Sequence, residues 1–123
     1  MDIRIKRVYE APSPDDGTRV LVDRLWPRGL GKDKAHVDLW LKEVAPSTEL
    51  RKWFAHEPGK WEAFLQRYRD ELARQPAALA RLAALAGAGR VTLLFGAREP
   101  RHNHAVALKA FLLEGRAAGA DAQ

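Results

Sequence analysis

The 123-residue chain has no cysteine, which excludes disulfides, thiolate chemistry and cysteine-ligated zinc. It has no apolar run near the ~20 residues that span a bilayer, and Met1-Asp2-Ile3-Arg4 opens no secretory signal. No membrane partner is implied, and a cytoplasmic protein is the economical reading. Blocks of like charge are missing too. The net charge of +5 divides into 11 basic against 9 acidic residues over 1–56 and 10 against 7 over 57–123, so neither half is a basic arm. A hydrophobic content of 46% with 30% charged residues is that of a globular chain, neither disordered nor membranous.

What is present fits one domain over residues 1–114, followed by a Gly/Ala-rich, flexible tail over 115–123. Ile3, Ile5 and Val8 suggest a first strand. A turn cluster, Ala11-Pro12-Ser13-Pro14-Asp15-Asp16-Gly17, separates it from a buried second strand over Arg19–Asp23. Leu39–Val44 reads as a weaker third strand, and Val91–Phe95, between Gly89 and Gly96, as the strongest of all. Four helices are predicted. One enters at Pro46-Ser47, with Ser47 as its cap, and the next opens at Pro58 and carries Trp61, Phe64, Leu65, Tyr68 and Leu72 at steps of three and four. A third starts at Pro76 and ends at Gly87 or Gly89. The last covers about Asn103 to Glu114. The expected class is α/β, a small, mostly parallel sheet of three or four strands covered by about four helices.

Several motifs fail on inspection. Gly29-Leu30-Gly31-Lys32 resembles a phosphate loop, but Trp26 and Asp33 stand where that pattern needs glycine and Ser/Thr. Gly87-Ala88-Gly89 precedes its strand, whereas a dinucleotide fingerprint follows one. His56, His102 and His104 do not make three metal ligands of matching depth. No metal and no cofactor is implied.

One convergence survives. In open α/β sheets, ligands bind at the carboxyl ends of strands. The second strand ends in Asp23-Arg24-Leu25-Trp26-Pro27-Arg28, the third near Lys42 and Ser47, and the last in Gly96-Ala97-Arg98 ahead of Asn103. Parallel strands would bring Arg24, Arg28 and Arg98 to one rim with two helix N-termini, a combination that favours phosphate or carboxylate. Lys42, Ser47, Arg51 and Asn103 join that candidate binding set. Trp26 and Trp53 would pack the organic part, and His102 or Asp23 could move a proton. The bland alternative makes Arg24 a structural partner of Asp23 or Glu43 and Trp26 a core residue. At Trp26-Pro27 an aromatic before proline raises the cis population, with trans the default.

The same residues carry a resemblance. The runs Asp16–Gly29, Trp40–Phe54 and Val91–Arg98 with His102-Asn103 resemble the signatures of the YeaO-like proteins (domain of unknown function 488), a bacterial family. His104 departs from the asparagine expected there. The resemblance implies a compact α/β fold and no established activity. The leading expectation is therefore a small-molecule anion site, with catalysis open. The rivals are a nucleic-acid module using the same Arg/Trp rim and a protein-interaction domain. The oligomeric state is not legible.

Overall fold

The computed structural model describes residues 1–121, with side chains as far as Gly115. A four-stranded, wholly parallel sheet is built from β1 (Ile3–Arg7), β2 (Thr18–Leu21), β3 (Leu39–Trp40) and β4 (Val91–Phe95), in the order β1-β4-β2-β3. β4 lies between β1 and β2, with Ile3 opposite Val91 on one side and Thr18 opposite Val91 on the other. All five of its residues are buried. A strand flanked on both edges and covered on both faces is predominantly apolar, here with one polar residue, Thr92, that is hydrogen-bonded.

The two faces of the sheet are covered differently. Ile3, Val20, Val22, Val91, Leu93 and Phe95 point into one core. It is closed by α2 (Thr48–Phe54), α3 (Trp61–Leu72), α4 (Pro76–Ala88) and α5 (His104–Asp121). On the other face Leu21, Leu94 and Val8 lie under Trp26, Leu30 and Val37, from the long β2–β3 connection, and under Trp40 of β3. That connection contains a short helix, α1 (Lys32–Ala35), beyond the four expected. The α/β class, the parallel sheet and the helical cover agree with expectation.

The third strand is shorter than expected, because Lys42–Val44 form a 3₁₀ turn. Leu41 and Val44 both enter the same core. Three residues apart, they would face opposite sides of a strand, whereas three residues per turn put them on one side. The second strand likewise ends at Leu21, although Val22 N–H still donates to Leu94 C=O at 3.1 Å. Pro58–Lys60 form a 3₁₀ turn before α3 instead of its first helical turn. α4 stops at Gly89. No cis peptide is found among the described residues, so Trp26–Pro27 takes the trans default. The tail expected to be flexible falls mostly beyond the described side chains.

Beneath the second face lies a buried polar knot. The Asp16 carboxylate accepts from Lys6 Nζ at 3.1 and 3.2 Å, from Ser13 N–H at 3.0 Å and from Arg19. Arg19 is 4% exposed and also donates to the carbonyls of Ala35 and His36, each at 2.9 Å. Thr92 Oγ1 donates to Asp16 C=O at 2.7 Å. Burial pushes the Asp16 carboxyl up, but the Ser13 N–H, Lys6 and Arg19 together outweigh it and hold the carboxyl below the usual range. A depressed folded value means this stabilisation is complete above the unfolded carboxylate titration and is lost as pH falls through the folded one. Asp16→Asn should destabilise the chain by about 3 to 5 kcal/mol in urea unfolding at neutral pH, since it strands the Arg19 charge. The gap to wild type should narrow in acid, and a gap that stays constant to low pH would contradict this role.

Candidate functional site

The carboxyl ends of β2 and β4 are adjacent, and Asp23 joins them. Its Oδ2 accepts the Gly96 N–H at 2.8 Å. Gly96 is required by this close approach, because a Cβ there would stand 2.9 Å from Asp23 Oδ2. Arg7, the last residue of β1, holds the same turn from below. Its Nε donates to Ala97 C=O at 3.0 Å and a terminal nitrogen to Gly96 C=O at 3.3 Å.

The first residue of α5 completes this floor. His104 Nε2 lies 3.1 Å from Val22 C=O and 2.9 Å from Asp23 Oδ1. A carbonyl only accepts, so Nε2 carries a proton and donates to it. Asp23 Oδ1 is within ion-pair distance but off the donor direction, and it is buried without a hydrogen bond. The helix itself is capped by Asn103, whose Oδ1 accepts Val106 N–H at 3.0 Å while Nδ2 donates to Glu99 C=O at 2.8 Å.

Above this floor opens a cleft of about 590 Å³. Phe54 and Phe64, stacked with ring centroids 4.5 Å apart, and Trp26 give it aromatic surface, with Tyr9 and Leu25 at its margin. Arg24, Arg28, Arg51 and Lys52 line it against one carboxylate, Asp23. Ala55 and His56 close α2 in the left-handed region, at φ 47° and 56°, and so turn His56 to the cleft wall. Arg28 is placed by its own backbone, whose carbonyl accepts Tyr9 O–H at 2.8 Å.

Of the residues singled out in the sequence, Asp23, Arg24, Trp26, Arg28 and Arg51 line this cleft. The other six are elsewhere. Lys42 lies 4.1 Å over the Trp40 ring, on the second face of the sheet. Trp53 packs under Arg67 and Lys60, at 4.1 and 5.0 Å. Ser47 caps Leu50 N–H at 3.1 Å and donates to Glu71, so it serves α2. His102 stacks edge-on against Trp61 at 5.1 Å and faces Glu99. Its N–H, more than that of Arg101, holds the Glu99 carboxyl below the usual range against burial. Asn103 is the buried cap, and Arg98 is exposed outside the lining.

Arg24 does two things. Its guanidinium donates to Ala45 C=O at 3.0 Å and Pro46 C=O at 3.2 Å, tying the β2 end to the entrance of α2, and it also borders the cleft. Residues missed in the sequence are Phe54, Lys52 and Gly96, Phe64, whose place in the stripe of the second helix marks it as core, and above all His104. Among the described residues no cluster of three or more His, Asp or Glu side chains is placed to hold a metal, and no helix is long and apolar enough to cross a membrane.

Two substitutions separate cap from floor. Ser47→Ala should cost about 1 kcal/mol as a lost helix cap and leave the cleft intact. Gly96→Ala should cost about 1 to 3 kcal/mol by parting the Gly96 N–H from Asp23, and it should shift the His104 ring signals in NMR spectra. Unchanged His104 signals in Gly96→Ala would contradict the coupling of β4 to that imidazole.

Comparison with known proteins agrees with the resemblance read from the sequence. An uncharacterised protein of Mycobacterium tuberculosis (strain ATCC 25618 / H37Rv) is 49% identical over 114 residues, which are 93% of this chain and 95% of that one. The uncharacterised protein YeaO of Escherichia coli (strain K12) is 45% identical over 112 residues, 91% of this chain and 97% of its own. No solved structure matches. Residues 2–123 match the model of DUF488-N3i, described as the inactive DUF488-N3 subclade, and the chain belongs to that family.

Proposed function

We propose that the cleft binds a small organic anion, and that the protein acts by binding it rather than by transforming it. The observation that carries this reading is the composition of the cleft, four cations against one carboxylate around stacked aromatic rings. Exposed Arg28, Arg51 and Lys52 suit a phosphate or carboxylate at the mouth, and Phe54, Phe64 and Trp26 suit an apolar or planar body. The description "inactive" attached to the family supports binding without turnover. A concave site of this volume supports a small ligand over a polymer, which would call for an extended basic stripe.

A metabolite panel tested by thermal shift should give a hit. A ligand at about 100 times its Kd adds about 2.7 kcal/mol, which raises Tm by several degrees in a domain of this size. Arg28→Ala combined with Arg51→Ala should abolish that shift while changing apo stability by no more than about 0.5 kcal/mol per site. Arg24→Ala should lower the apo Tm as well, because it frees two carbonyls at the entrance of α2. Arg98→Ala should leave the shift intact. Oligonucleotide affinity that falls steeply with salt and depends on Arg28 and Arg51 would overturn the reading in favour of nucleic acid.

A further inference from the structure

The floor of the cleft contains an unfinished ion pair. Asp23 Oδ1 is the one buried side-chain polar atom without a hydrogen bond among the described residues, yet His104 Nε2 is 2.9 Å away. The imidazole spends that proton on Val22 C=O at 3.1 Å. A buried carboxylate oxygen facing a neutral ring is poorly compensated, and it becomes paired when the ring gains a second proton.

That second proton has one place to go. His104 Nδ1 has no hydrogen-bond partner among the described residues and is not among their buried, unpaired atoms, and its residue lines the cleft. In the neutral ring Nδ1 presents a lone pair, which repels an oxyanion. In the imidazolium it is an N–H donor aimed at one.

Resting on the anion-binding reading above, we propose that His104 is the anchor of the ligand's oxyanion and holds it only as the imidazolium, so that binding takes up a proton. The groups around the ring make the coupling. Asp23, at the end of β2, favours the charged ring. Arg24 and Arg28 from the following loop, and Arg51, Lys52 and His56 from α2 and its end, share the cleft and oppose it while the cleft is empty. Glu99 and His102, on the approach to α5, face each other at 3.4 Å. An arriving anion offsets the four cations and removes their opposition. The ligand class that follows is an oxyanion on an aromatic or apolar body, recognised more strongly in mildly acidic than in alkaline solution.

Benzenesulfonate is a suitable probe because its own charge is constant across the imidazole range, so any pH dependence belongs to the protein. Its Kd should be measured by calorimetry between about pH 5.5 and about pH 8 on wild type, His104→Gln and His56→Gln. For one coupled proton, affinity should fall with rising pH by up to about tenfold per unit. His104→Gln keeps an amide donor for Val22 C=O, and its Kd should be flat with pH and close to the weak, high-pH value of wild type. His56→Gln should keep the wild-type slope. The wild-type chain gives a second reading that needs no variant: added benzenesulfonate at neutral pH should move the His104 ring nitrogens toward their protonated shifts. Binding that is independent of pH, a slope lost in His56→Gln instead, or ring nitrogens that do not move, would overturn the role of His104 and leave the anion site standing. Absence of binding at every pH, together with an empty metabolite panel, would overturn both.

Discussion

Everything at the top of this molecule depends on where the Asp23 carboxylate sits. One oxygen takes the Gly96 N–H and so joins the ends of β2 and β4. The other stands against the first residue of α5. Three separate segments are fixed by one side chain, and the gap that remains above them is the cleft. Arg7 reinforces the same turn from β1. The floor is therefore held by strands and a capped helix, while the cations above it come from loops and the exposed face of α2. A hydrogen-bonded polar floor below long cationic side chains is an arrangement that can admit an anion without rebuilding the fold.

The asymmetry of the sheet explains why the cleft opens where it does. Four helices share one face and form the large apolar core. The other face is covered by the β2–β3 connection and β3, where Trp26 and Trp40 meet edge to face at 5.4 Å and anchor their indole N–H groups on the Leu30 and Asp23 carbonyls. Trp26 is therefore both part of that cover and part of the cleft lining. The Asp16–Arg19 knot secures the far end of the same face. Burying charge there is tolerable because each donor has an acceptor.

Much of this was legible locally. The run Val91–Phe95 between two glycines reads as a strand, Ser47 followed by Glu49 and Leu50 reads as a helix entry, and Gly87 or Gly89 reads as the end of another helix. Ser47 is the instructive case, since the local chemistry that marks a cap also resembles a ligand donor. The backbone N–H of Leu50 uses its oxygen. Asn103 repeats the lesson at α5. His102 and His104 show the limit most sharply: two residues apart and alike in the sequence, one stacks on Trp61 and the other enters the cleft. A turn at the start of a helix rotates neighbours by about 100° per residue, so no periodicity before the helix begins could tell them apart.

The sequence by itself determined the class of fold, the helix caps, the existence of the strand over Val91–Phe95, and the fact that arginines follow strand ends. These depend on short-range sterics, capping and hydrophobic periodicity, which act within a few residues. Only the tertiary structure decided that β4 inserts between β1 and β2, that Arg24 and Arg28 share a cleft with Arg51 while Arg98, Lys42 and Trp53 do not, and that Phe54 and Phe64 face it. It also decided that Asp23 meets His104. Those outcomes depend on strand order and on the angle at which each helix leaves the sheet, and both are set by contacts between residues tens of positions apart.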